Sequence, residues 1–349
     1  MNMLPALRGC CLFACLWSGM LLTSAQTAEP KTQTAPPVQQ QWHTLVERMI
    51  QQRMQLQAGH FQATTRISFP KTQPEEATIL FDAECWFADR FQKVRFDQTV
   101  KQPLLRYEEK PEIQTSLSTW IRTPEMSIHT EGNRTSVRIY EPDAHPGGYY
   151  SPFDVRVLGL VKTAELMQTQ TRKRREHFFL PDLVEWLKQY QAEQIESTAA
   201  GLTEVTLNKN NPKDTKLILQ FDPAQGYTPV SYRFFIKSGM PPQFKSTPVI
   251  ENKVTWQKRS KVWVPVQYES TNRWIDHHVT MRLKWLKVNQ KIPAATFTID
   301  ALDLPRGLPV TTDDGEKGII ETQIIDHRNG QNKLIRGGSF ISDKELEKP

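Results

Sequence analysis

The chain has 349 residues, a formal net charge of +6, 38% hydrophobic residues and four cysteines. Three of those cysteines, Cys10, Cys11 and Cys15, fall in the first 15 residues, so Cys85 has no intramolecular disulfide partner in the rest of the chain. A disulfide-stapled scaffold is therefore excluded, the length suffices for one large sheet domain, and so thin a positive excess gives no reason to expect nucleic acid.

Arg8 is the only charge before an apolar run from Gly9 to Leu22, and Thr23-Ser24-Ala25 follows with small residues. That layout predicts a secretory signal peptide over residues 1–25, because the run is shorter than the roughly 20 residues a spanning helix needs. The protein is read as exported, to the periplasm or cell envelope. Residues 26–41, rich in Thr, Pro and Gln, read as a disordered tether.

The domain is placed at residues 42–312. Trp42, Leu45, Val46, Met49 and Leu56 recur at helical spacing, and Gly59 ends that helix. Phe61 to Pro70 reads as a strand. In the next hairpin Ile79, Phe81, Ala83, Cys85 and Phe87 share one face opposite Asp82, Glu84 and Trp86. The chain reverses at Ala88-Asp89-Arg90 and returns through Val94 and Phe96. Further strands are expected at 117–122 and 134–140, then a loop insertion over 140–178 in which Val155, Val157, Leu158 and Leu160 are expected to be buried. The spacing of Leu183, Val184, Leu187 and Tyr190 predicts a second helix from Leu180 to Glu196, closed by Ala200-Gly201.

Lys216 to Asn289 reads as a meander of consecutive antiparallel strands separated by turn residues. Phe297, Ile299 and Ala301 predict one more strand. Residues 313–349 read as a polar tail, in which Ile319, Ile320, Ile324 and Ile325 could add a strand. The fold class is α+β, mainly antiparallel β: a large curved sheet or unclosed β-barrel covered on its concave face by helices, because each amphipathic helix must bury its stripe.

No catalytic signature stands out. In Asp276-His277-His278 the two imidazoles point to opposite faces of a strand and cannot share a metal, so a solvated strand end is the reading. Asp82 and Glu84 share a strand face at a separation suited to paired acid chemistry, with no second feature to support it. Cys85 lies on an apolar face and reads as a buried thiol. Arg172-Lys173-Arg174-Arg175 is a basic run suited to an anionic membrane surface or an acidic partner. Nine tryptophans are present, with Trp86, Trp256, Trp263, Trp274 and Trp285 expected on strands.

One amphipathic helix leads into Gly59-His60-Phe61-Gln62-Ala63, a hairpin ends Trp86-Phe87-Ala88-Asp89-Arg90-Phe91, and Phe221-Asp222-Pro223 and Val262-Trp263-Val264-Pro265 follow. This layout resembles the bacterial outer-membrane lipoprotein-sorting superfamily, the LolA/LolB-like proteins, over roughly Trp42 to Leu304. The resemblance implies an open barrel lidded by helices, with an apolar cavity for lipid chains. It implies a non-enzymatic carrier of lipid or acylated protein that needs no cofactor, with Phe81, Phe87, Phe96, Leu183, Leu187, Trp256 and Trp285 as cavity candidates. An envelope regulatory or scaffold protein holding a protein partner through the same fold is the alternative, and a hydrolase is a weaker one.

Overall fold

The computed structural model describes residues 37–70, 78–104, 112–131, 133, 135–140, 148–149, 154–161, 168–169, 180–208, 215–236, 246–304, 308–313, 319–326 and 333–336. The signal segment and the basic run at 172–175 lie outside the described residues.

Helix α1 (Val38–Arg53) is followed by β1 (Gly59–Ser68), β2 (Ile79–Ala88), β3 (Lys93–Leu104), β4 (Glu112–Arg122), β5 (Ser127–Glu131) and β6 (Ser136–Tyr140), each paired antiparallel with the next. A two-residue pair, β7 (Gly148–Tyr149) and β8 (Gln168–Thr169), stands apart. After α2 (Leu180–Lys188) come β9 (Gln191–Ser197), β10 (Thr203–Asn208), β11 (Thr215–Asp222), β12 (Thr228–Ile236), β13 (Ile250–Arg259), β14 (Val262–Asn272) and β15 (His277–Val288), again each beside the next. The pairing of β1 with β15 joins the two runs. Beyond β6 lie β16 (Pro309–Asp313), β17 (Ile319–Asp326) and β18 (Lys333–Arg336). The result is one unclosed 16-stranded sheet with β18 and β9 at its edges, antiparallel except where β16 meets β6.

The period-2 pattern explains how the sheet takes its two faces. On β1, Phe61, Ala63, Thr65 and Ile67 are buried and alternate with outward Gln62, Thr64 and Arg66. The ladder places Phe61 beside Cys85 and Trp285. The main core collects Phe61 and Ala63 of that face with α1 and α2, and includes Trp42, Phe87, Phe91, Trp256 and Phe221. Trp42 reaches from α1 to donate its indole N–H to the carbonyl of Leu187 on α2, at 3.2 Å. Gln39 donates to the Tyr190 carbonyl at 3.1 Å and accepts from the Ala192 amide at 2.8 Å, which ties α1 to β9. The opposite face has its own core, where Ile121, Ile128 and Val137 pack against Phe297, Leu302 and Leu304.

Several elements differ from the sequence expectation. Helix α1 begins at Val38, inside the stretch read as a tether. Helix α2 stops at Lys188, and residues 191–197 form a strand instead of continuing it. Gly201, at φ +76°, makes the tight turn that lets β9 fold back on β10, and a paired ladder outweighs a weak helical pattern. Residues 294–297 and 299–301 are 3-10 turns with local bonds, Thr296 N to Pro293 O and Ala301 N to Thr298 O, not a strand. Their alternating apolar residues face the second core without any ladder. Strand β5 forms at residues 127–131, between the two expected strands; β17 is the strand that Ile319, Ile320, Ile324 and Ile325 could add, and β18 carries the sheet further into the stretch read as a polar tail. Trp274 sits in the β14–β15 turn and is 59% exposed.

Candidate functional site

Residues 154–161 run through the main core and are buried along their whole length, as the apolar residues of the 140–178 insertion predict. Val155, Val157, Leu158 and Leu160 join the core beneath α1 and α2. Gly159, at φ +81°, lies so close to the sheet that an added Cβ would stand 2.9 Å from Val254 on β13. Asn252, fully buried on β13, donates to the carbonyl of Val161 at 2.8 Å. An eight-residue segment thus lies between the helices and the sheet.

Two charges inside that segment are the unexpected feature. Asp154 and Arg156 form a forked ion pair of 2.6–3.0 Å whose side chains are 0% and 1% exposed. Asp154 also accepts from the amides of Arg156 and Leu180, so it caps the short turn at 155–157 and meets the first residue of α2. Arg156 donates to the Arg90 carbonyl at 2.8 Å and lies 4.7 Å from the centre of the Phe91 ring. Phe91 in turn stacks on Phe87, centroids 3.8 Å apart. Asp89, Arg90 and Phe91 all take positive φ, so this pair of contacts holds a strained turn in place.

Arg53 closes the cluster. It is the last residue of α1, 5% exposed, with its guanidinium 4.5 Å above the Trp256 ring. Its Nη1 donates to the Arg156 carbonyl, while Nε and Nη2 are buried with no hydrogen-bond partner among the described residues. Burial pulls its pKa down to about 9, and the nearby Asp154 carboxylate only partly offsets this. Two guanidiniums therefore share one carboxylate, which Arg156 already occupies. The sequence held a signal for this. Arg53 continues the stripe of Trp42, Val46 and Met49 at helical spacing, and Asp154 and Arg156 interrupt an apolar run.

Six of the seven cavity candidates, Phe87, Phe96, Leu183, Leu187, Trp256 and Trp285, belong to the main core around this cluster. Phe81 lies elsewhere, in a separate group with Ile67, Val100 and Val279.

On the opposite face a groove of about 340 Å³ is lined by Gln62, Thr64, Asp82, Glu84, Asp97 and Thr99, among others. It brings Asp82 and Glu84 together, yet the carboxylates are engaged. Glu84 is 2.6 Å from Nε2 of His60, Asp97 is forked by Arg95, and Asp82 accepts from the Thr64 hydroxyl at 3.1 Å. His278 is not part of this lining and pairs with the Thr271 hydroxyl at 3.2 Å, while His277 lies near Phe69. Among the described residues no three His, Cys, Asp or Glu converge as metal ligands. Cys85 is buried, and burial pushes its thiol pKa well up. No described helix is long and apolar enough to cross a membrane.

No protein-family model matches the chain, and no curated protein sequence matches it. Among solved structures it is similar to a DUF1329 family protein from Desulfovibrio piger (12% identity, 76% of this chain and 98% of that one, TM-score 0.42). It is also similar to a LolA superfamily protein from Nitrosomonas europaea (11%, 74% and 98%, TM-score 0.35). A third is a putative outer membrane lipoprotein-sorting protein domain from Vibrio parahaemolyticus (8%, 75% and 98%, TM-score 0.42). The last two carry the name of the superfamily that the sequence resembles. At these identities the likeness is one of strand layout and says nothing about a ligand.

Proposed function

We propose that this protein is an exported, non-enzymatic carrier that holds a lipid or an acylated protein between the helices and the sheet. The supporting observation is the nature of the cover over the aromatic face. Residues of a 16-residue helix, a 9-residue helix and the segment 154–161 share one buried core with Phe61, Phe87, Trp256 and Trp285. Helices this short are marginal alone and persist only through packing. An acyl chain that replaced those contacts would gain about 0.8 kcal/mol per buried methylene. The cover therefore competes with a ligand on similar terms, which suits reversible loading.

Native mass spectrometry and lipid extraction of the purified protein provide the test. A co-purifying lipid or acylated protein, or saturable uptake of a neutral fluorescent acyl ester, is the expected result. Absence of both would overturn the carrier reading.

A further inference from the structure

We infer that Arg53 is the anchor for an anionic head group, a phosphate or a carboxylate, at the end of an apolar ligand. The inference rests on the carrier reading and deepens it.

Three observations carry it. The guanidinium is almost wholly buried, yet Nε and Nη2 find no acceptor among the described residues, so two strong donors stand idle where an unmet donor is costly. The cluster holds one more positive charge than negative, and the single carboxylate, Asp154, is saturated by Arg156 and two backbone amides. Finally, Arg53 donates to the backbone carbonyl of Arg156, inside the segment that lies over the sheet. A helix of this size needs no buried arginine at its end, since a lysine or arginine in solvent serves the helix dipole as well.

A phosphate or carboxylate supplies what is missing. Its oxygens accept from the planar Nε–Nη2 edge of the guanidinium, the geometry in which arginine binds such groups. It also neutralises the surplus charge. The acyl chain then lies on the aromatic floor, where Trp256 already supports the guanidinium and Phe87 and Trp285 continue the apolar surface. Access requires that residues 154–161 withdraw. The Arg156 carbonyl leaves Arg53 in that step, so the segment and the head group are alternative partners of one side chain.

The test compares a fluorescent long-chain fatty acid with its methyl ester, and a lysophosphatidate with the monoacylglycerol of the same chain. Binding is measured to the full protein and to Arg53→Met and Arg53→Lys. The acids are expected to bind about tenfold tighter than their neutral counterparts. Arg53→Met should erase that ratio, whatever it does to the affinity for the neutral ligands, and Arg53→Lys should restore part of it. Preference for lysophosphatidate over the fatty acid identifies a phosphate head, and the reverse identifies a carboxylate. Equal binding of acid and neutral forms by the unaltered protein overturns the head-group inference and leaves the carrier reading standing. No binding of any of the four overturns both. If Arg53→Met does not fold, the acid-to-neutral ratio in the unaltered protein still decides.

Discussion

Gly59 and Phe87 face each other across the β1–β2 ladder with no space between them. A Cβ on Gly59 would stand 2.6 Å from Cζ of Phe87 and 2.9 Å from Cζ3 of Trp285. The glycine that ends the first helix region in the sequence is thus also the point where two aromatic rings close over the backbone. Gly59→Ala should destabilise the protein by about 1–3 kcal/mol, the usual cost of overpacking. Urea unfolding checks it. An unchanged midpoint would mean the Phe87 ring moves aside freely, and the tight packing assigned to this face would be wrong.

The two buried arginines should respond in opposite ways. Arg156→Met leaves Asp154 buried without its ion pair and should cost about 3–5 kcal/mol. Arg53→Met removes a charge that has no carboxylate of its own, and should be neutral or stabilising. Thermal unfolding of both variants beside the parent settles the contrast. Equal losses would show that Arg53 is paired in solution.

His277 gives the pH dependence a definite sign. Burial, with the charge of His278 second, holds its pKa below the usual 6.5. The unfolded chain then takes up a proton that the folded protein resists, so stability falls as the pH drops below about 6.5. Above that value the residue is neutral in both states and contributes no slope. His277→Gln should flatten the acid limb of a stability-versus-pH curve, and an unchanged limb would refute the assignment.

Cys85 offers a probe of global unfolding. Its thiol is fully buried with its pKa raised by burial, so the thiolate is scarce and out of reach. A maleimide should label Cys85 only as the sheet opens, with labelling rising along the denaturant transition. Rapid labelling of the native protein would show local opening between β2 and the helices.

How much could be read in the chain varies by element. The α1 stripe, the β2–β3 hairpin and the β11–β15 meander follow local periods, which any segment of that pattern obeys wherever it lies. Gln191–Ser197 and Ile299–Ala301 depart from their local patterns, which are short and fit more than one kind of element. A partner strand decided the first, and the second core decided the other.

Alternation and helical spacing are properties of neighbouring residues, so they suffice to specify an antiparallel β protein with two amphipathic helices. Arg53, placed by that reading on a polar face of the first helix, is buried instead, and Asp154 and Arg156 lie inside a stretch read as apolar. The tertiary structure alone joined β1 to β15, set β16 beside β6, and brought Arg53 to an acceptor 103 residues away. Whether a buried charge is paired depends on what the fold brings to it, and no local pattern records that.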